Sequence, residues 1–201
     1  MFYKLSERIA DGFEKQRVIS SEDKELYRYG VQQGLNLLLN LLTTFVIGIL
    51  CGMLMASILF IVVYMPLRSF AGGYHAKTHL RCYLYSILMI TAVLLVIRFL
   101  PLGWLICSCL MFVGGIIIVL LAPVEDSNKP LDKVEQYVYR KRTRLIFALE
   151  CCVFLLSVVL QAKLFYSTIS LAIVGLAFLV LMGKGKNVFQ EDKEKQITKE
   201  R

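Results

Sequence analysis

The chain has 201 residues, of which 57% are hydrophobic, and its formal net charge at pH 7 is +8. Soluble domains contain about 45–50% apolar residues, so this composition argues against an ordinary soluble domain and indicates a membrane protein. With so much apolar sequence, the positive charge favours anionic lipid headgroups over nucleic acid as a partner.

The first 30 residues are polar and carry charges of both signs, so no cleavable secretory signal is predicted. Phe2, Leu5, Ile9 and Phe13 recur at helical spacing, which predicts an amphipathic helix lying in the membrane interface. An ordinary solvated helix is the alternative. The segment 20–23 has the pattern of a second helix start.

From residue 34 the sequence becomes apolar, and a membrane-spanning helix needs about 17–25 mostly apolar residues. The predicted fold is therefore an all-α polytopic bundle of six transmembrane helices. These spans cover residues 35–50, 53–64, 83–100, 104–121, 145–160 and 164–182. We expect one domain over 1–201, made of an N-terminal region (1–33), a bundle (34–182) and a charged tail (183–201).

The distribution of Lys and Arg predicts the orientation of the bundle. Two of the 23 basic residues stand apart from the rest. Arg98 lies near the end of the third span, and Lys163 lies in the connection after the fifth span. The other 21 lie in the N-terminal region, the hinge between the second and third spans, the loop 122–144, and the tail. The positive-inside rule therefore predicts that both termini and the hinge are cytoplasmic.

The hinge, residues 68–82, contains both histidines of the chain, His75 and His79, and ends at Cys82. Neighbouring cations favour a thiolate, and an imidazole can take the thiol proton, so this combination predicts nucleophilic acyl chemistry. On a helix His79 would be the closer partner of Cys82, whereas the flexible pair Gly72-Gly73 could turn His75 back towards it. The spacing leaves both histidines open.

Three other interpretations of polar residues remain open. His75, His79 and Cys82 could form one metal-binding face of a helix, although zinc usually takes a fourth ligand. The two histidines could instead be simple interfacial polar residues. Glu150, inside the fifth span, is either a functional group or a side chain that snorkels to the interface. The five cysteines other than Cys82 adjoin or lie in apolar runs and are interpreted as buried hydrophobic residues.

Two motifs resemble the AgrB family of the bacterial accessory gene regulator system. One is Arg68-x-Phe-Ala-Gly-Gly-x-His75-Ala with a cysteine seven residues after the histidine, and the other is Ala122-Pro-Val-x-x-x-Asn-Lys-Pro130. The order of charged N-terminus, spans, hinge and basic loop is also similar, and the resemblance covers about residues 5–185.

This resemblance implies a membrane cysteine endopeptidase that processes an AgrD-like quorum-sensing propeptide at the cytoplasmic face of the bacterial membrane. It implies His75 and Cys82 as the catalytic pair. The resemblance also implies supporting roles for Arg68, Gly72 and Gly73, and we predict such a role for Ser69 as well. The basic residues Lys129, Arg140, Lys141 and Arg142 are predicted to contact the acidic end of the propeptide. Cys82 would form a thioester that a Cys or Ser of the peptide then resolves into a thiolactone or lactone ring.

We further expect that Gly72 and Gly73 contribute N–H groups to an oxyanion hole, with His79 or Glu150 as polar support. No cofactor or metal is predicted, and a homodimer is expected. A small transporter and a membrane scaffold that binds peptide without turnover are the two rival functions.

Overall fold

The computed structural model describes residues 2–74, 78–125 and 131–199, without the side chains of His79 and of residues 190–199. The described segments are helical, apart from short connections and one isolated backbone pair. The helices are α1 (Tyr3–Lys15), α2 (Lys24–Leu50), α3 (Leu54–Ala71), α4 (His79–Phe99), α5 (Trp104–Leu121), α6 (Lys133–Val159) and α7 (Lys163–Lys199). The prediction of an all-helical fold is confirmed for these segments.

Each predicted span lies largely or wholly within one helix, but several helices extend beyond the apolar run. Helix α2 begins 11 residues before residue 35, and α3 continues past residue 64 to Ala71 although Pro66 lies inside it. Helix α6 begins at Lys133, where Asp132 and Glu135 form a reciprocal capping box. Hydropathy marks only the part of a helix that lipid would cover, so polar helical extensions fall outside a predicted span.

Helix α7 occupies the centre of the bundle, where it packs against α3, α4, α5 and α6. More than half of its apolar stretch is buried, a larger share than in any other candidate membrane helix. Two glycines of α5 allow close packing in this region, because Gly114 lies against Ile173 of α7 and Gly115 lies against Phe147 of α6.

Within the part of the chain that the structure describes, five helices are long and apolar enough to cross a membrane: α2, α3, α4, α5 and α7. Helix α6 is not among them, because its apolar half contains Glu150 and follows directly on a basic first half. Large apolar side chains such as Leu50, Phe112 and Val159 are exposed, as expected for helices that face lipid. Of the cysteines interpreted as buried, Cys107 is buried, whereas Cys109 and Cys152 are exposed.

Ion pairs and a cation–π contact join α1 to the start of α2. The Lys24 ammonium lies 2.8 Å from Asp11 and 2.7 Å from Glu14. The Arg28 guanidinium lies 4.9 Å from the centre of the Tyr3 ring and donates a 2.9 Å hydrogen bond to the Tyr3 hydroxyl. The segment 20–23 precedes α2, as predicted. The Ser20 hydroxyl donates to the Asp23 carboxylate and accepts from the Asp23 N–H, just before the helix begins at Lys24.

Candidate functional site

The hinge begins where two glycines end helix α3. Gly72 has φ +68° and ψ −143°, and Gly73 has φ +115°. Residues with a Cβ rarely adopt such angles, so these positions require glycine. A Cβ on Gly72 would also lie 2.1 Å from the Val124 carbonyl oxygen. The chain therefore turns sharply out of α3 and runs directly against neighbouring backbone.

Two other segments bind the hinge backbone through hydrogen bonds. The Val124 N–H donates to the Ala71 carbonyl (2.9 Å), and the Gly73 N–H donates to the Val124 carbonyl (3.1 Å), which gives a short parallel pairing. The Tyr74 N–H donates to the Leu179 carbonyl of α7 at 2.8 Å. The Gly72 N–H bonds to the Arg68 carbonyl at 3.2 Å. The N–H groups of Gly72 and Gly73 could bind an oxyanion only after their hydrogen bonds to the Arg68 and Val124 carbonyls had broken.

Arg68, in the last turn of α3, binds the backbone of the hinge through its guanidinium group. One guanidinium nitrogen donates to the Gly72 carbonyl, and the other donates to the Tyr74 carbonyl at 2.7 Å. The planar fork of arginine suits two acceptors held at a fixed separation. Arg68 therefore holds the hinge on both sides of Gly73, immediately before the segment that begins at His75.

Cys82 lies in the first turn of α4 and is half-buried. Its N–H donates to the Thr78 carbonyl at 3.1 Å, and the Thr78 hydroxyl caps the helix by accepting from the Arg81 N–H. A helix N-terminus carries partial positive charge. The thiol therefore sits at the N-terminal end of α4.

Tyr64 is a polar side chain of α3 near Arg68 that the sequence did not single out. It lies one helical turn before Arg68 on α3, stacks on Phe60, and is within electrostatic range of both the Arg68 guanidinium and the Cys82 thiol. The spacing of four residues from Arg68 was the only available signal, and in an apolar run it resembles ordinary packing. The structure thus brings Cys82, Arg68 and the start of the hinge to one place.

His75 and Lys129 lie outside the described residues, and His79 is the first residue of α4 with its side chain not described. The catalytic pairing, the role of Lys129 and the metal alternative therefore remain predictions.

The other predicted site residues differ in their surroundings. The exposed Ser69 hydroxyl donates to the Met65 carbonyl of its own helix at 2.8 Å. Arg140 and Lys141 are exposed on α6. The Arg142 guanidinium lies 5.1 Å from the Phe70 ring centre, next to the hinge. Tyr139 meets the same ring edge-on. Arg142 thus joins α6 to the end of α3.

Glu150 lies on the inner face of α6, away from the hinge. It is 8% exposed, and its Oε2 atom has no hydrogen-bond partner among the described residues. Its burial does not fit the snorkelling interpretation. Thr143, seven residues earlier on the same face, also has a buried hydroxyl without a described partner. Supporting chemistry at Glu150 remains a prediction.

The fold and the site together define a helical bundle, consistent with a membrane protein, in which a glycine hinge and a cysteine-bearing helix N-terminus meet at one end. Residues 6–182 match the family Accessory gene regulator B. The chain belongs to this family, as its two motifs indicated. Family membership implies a part in the processing of AgrD.

Two relatives illustrate the similarity. The chain is 23% identical over 177 residues to an AgrB-like protein of Clostridium perfringens, covering 84% of this chain and 83% of the relative. It is 28% identical over 104 residues to accessory gene regulator protein B of Staphylococcus saprophyticus, covering 52% of this chain and 55% of the relative. No solved structure matches the chain significantly.

Proposed function

We propose that this chain is a membrane cysteine endopeptidase that cleaves an AgrD-like propeptide. The observation that carries the proposal is that the hinge is held beside the first turns of α4. Arg68 binds the Gly72 and Tyr74 carbonyls, and the Tyr74 ring meets the Tyr85 ring, one turn after Cys82, edge-on at 6.1 Å. A nucleophilic thiol needs a base held close by, and the proposal assigns this role to His75, the residue after Tyr74.

The proposed reaction has two acyl-transfer steps. Cys82 Sγ attacks the scissile carbonyl carbon while His75 takes the thiol proton. The C–N bond then breaks, His75 returns the proton to the leaving amine, and the N-terminal fragment remains as a thioester on Cys82. A Cys or Ser side chain of this fragment attacks the thioester, which closes the ring and regenerates the Cys82 thiol. Water must be excluded meanwhile, because hydrolysis would release a linear peptide.

The orientation and the substrate contacts belong to the same proposal. We place the hinge and both termini on the cytoplasmic side, with α6 as a sixth span. Arg140, Lys141 and Lys129 contact the acidic C-terminal part of the propeptide, mainly by steering its approach. Anionic lipids surround the bundle, and two copies of the chain associate as a homodimer.

Mass spectrometry after mixing the purified protein with an AgrD-like propeptide tests the reaction. We expect the wild-type chain to gain the mass of the N-terminal fragment, and hydroxylamine to remove it. Cys82→Ala should show no adduct, whereas Cys109→Ala, which removes an exposed cysteine at the opposite end of the bundle, should behave as wild type. His75→Ala should abolish the adduct and His79→Ala should not.

Intact propeptide in every sample, with binding demonstrated, would contradict the proposal and favour a peptide-binding scaffold. An adduct that survives Cys82→Ala would place the nucleophile elsewhere.

A further inference from the structure

Helix α7 contacts the hinge through its backbone, at the point where the helix leaves the apolar core. The Leu179 carbonyl accepts the Tyr74 N–H at 2.8 Å, in addition to its place in the helix. A Cβ on Gly73 would lie 3.0 Å from this same carbonyl oxygen. Two main chains therefore run in direct contact, and a side chain at either point would separate them.

Gly183, one turn after Leu179, provides the space for this contact. It is buried, and a Cβ there would lie 2.7 Å from both the Gly73 carbonyl carbon and the Tyr74 nitrogen. Real Cβ atoms essentially never approach so closely. Because the obstructing atoms belong to the backbone, no change of rotamer can relieve the overlap. The hinge would have to move.

One turn further, Asn187 binds the other segment that pairs with the hinge. Its side-chain N–H group donates to the Glu125 carbonyl at 2.8 Å. Glu125 directly follows Val124, whose backbone pairs with Gly72. The stretch 179–187 of α7 therefore holds both the hinge and the connection between α5 and α6.

The family match ends at Met182, so Gly183 and Asn187 lie beyond the residues that it covers. We propose that α7 is a positioning element of the peptidase site, in which Gly183 seats the hinge and Asn187 fixes the connection that pairs with it. This inference rests on the proposed function for its catalytic consequence. Neither residue touches the reacting atoms, and both act through the position of the hinge.

Gly183→Ala is the test, and Gly185→Ala is its matched control. Both substitutions add one methyl group to the same helix, but a Cβ on Gly185 meets no atom within 4 Å. Alanine otherwise favours a helix over glycine, and this gain is common to both variants. We expect Gly183→Ala to lower kcat for propeptide cleavage by about tenfold or more. The added methyl group would displace the hinge, and a displacement of up to about 1 Å near reacting groups is enough to slow catalysis. KM should stay unchanged, since α6 is untouched.

Hydrogen exchange measures the seating of the hinge without using activity. In Gly183→Ala the Tyr74 amide should exchange at least about tenfold faster, while amides in the centre of α5 keep their protection. Gly185→Ala should change neither kcat nor the exchange of Tyr74. Unchanged exchange and unchanged kcat in Gly183→Ala would overturn the inference.

Asn187→Ala provides a second variant if Gly183→Ala loses protection throughout the bundle. It removes one hydrogen bond and adds no atom, and we expect faster exchange at Val124 and Gly73 together with a lower kcat. Unaltered exchange at both amides would overturn the inference. If the wild-type chain cleaves no propeptide, the proposed function fails, and hydrogen exchange alone still decides whether α7 seats the hinge.

Discussion

At the scale of single residues, Arg68 determines the course of the hinge. Its two guanidinium nitrogens bind the carbonyls of Gly72 and Tyr74, on either side of a residue with positive φ. One side chain thus satisfies two acceptors that the sharp turn removes from regular helical bonding. The guanidinium also places a permanent positive charge near Tyr64, one turn earlier on α3.

Arg68→Lys should therefore reduce propeptide cleavage although it preserves the charge. An ammonium is a point donor and cannot reproduce two parallel bonds at a fixed separation. We expect a decrease in kcat of about tenfold to a hundredfold, because the hinge loses its fixed position. Steady-state cleavage by the purified variant measures the effect.

Arg98→Lys is the control for this substitution. Among the described residues, Arg98 donates to a single backbone carbonyl, that of Cys51, at the opposite end of the bundle. A single acceptor suits an ammonium, so cleavage should remain near the wild-type rate. Equal losses in both variants would show that Arg68 acts through general stability.

The residues that the sequence could predict are those whose chemistry is unusual for their surroundings. Cys82 and Arg68 stand out because they are polar residues between apolar runs. Gly183 and Tyr64 do not stand out, because glycine and tyrosine are common near membrane helix ends. Their importance depends on contacts with Gly73, Arg68 and Cys82, and no local pattern encodes such contacts.

At the scale of elements, helix α6 uses its basic residues in two ways. Arg140 and Arg142 are both exposed, but the Arg142 guanidinium also lies over the Phe70 ring and joins α6 to the end of α3. The sequence predicted one substrate-binding cluster. It could not separate the two roles, because the difference depends on which face of α6 meets α3.

Substitution by glutamine should separate these roles. Arg140→Gln should raise KM for the acidic propeptide by up to about fivefold, and high salt should remove the difference, because exposed pairs contribute up to about 1 kcal/mol. Arg142→Gln should lower thermal stability, with a cation–π loss of about 0.5–1 kcal/mol.

A double-mutant cycle with Phe70→Leu checks the second part. If the contact is real, the stability effects of Arg142→Gln and Phe70→Leu should not be additive. Additive effects on stability would contradict the structural role of Arg142. The original prediction, that Arg142 contacts the substrate, would then be favoured.

Helix α1 is attached to α2 partly through charge. The Lys24 ammonium, hydrogen-bonded to both carboxylates, holds the pKa of Asp11 and the pKa of Glu14 below their ordinary values. A lowered pKa in the folded state stabilises the attachment above the ordinary value, and protonation removes this stabilisation as the pH falls through the lowered one.

We therefore expect α1 to loosen as the pH falls below about 4, where such carboxylates become protonated. Amide protection in α1, corrected for the intrinsic exchange rate at each pH, measures this loosening. Lys24→Met should lower the protection already at pH 7, whereas Lys4→Met should not. Protection that is independent of pH in the wild-type chain would show that the ion pairs do not hold α1, which would leave the Tyr3–Arg28 contact and the packing of the buried Ala10.

At the scale of the whole molecule, two different ends become apparent. At one end Arg98 joins α4 to the tight turn between α2 and α3 through the Cys51 carbonyl. At the other end the hinge, the connection after α5 and helix α7 meet in one backbone network. The sequence predicted this asymmetry from its Lys and Arg distribution, because charge patterning records which end is polar. It could not predict that the hinge, the connection after α5 and helix α7 are joined by hydrogen bonds at the polar end.

Labelling of intact cells with a membrane-impermeant maleimide tests the proposed orientation. In a background with all native cysteines replaced by alanine, Gly103→Cys should react from outside. Val134→Cys, exposed at the start of α6, should react only after the cells are opened. Reaction of both from outside would contradict the crossing of α5, and the reverse pattern would invert the orientation.

The contact between Tyr74 and Leu179 also has a consequence for biosynthesis. The hinge leaves the ribosome about a hundred residues before the carbonyl that receives its amide. A nascent chain that already contains Cys82 therefore still lacks the surface on which the hinge rests. On the proposed function, cleavage of the propeptide would begin only once α7 has entered the bundle, because unfinished chains would carry the Cys82 thiol without the contact that seats the hinge.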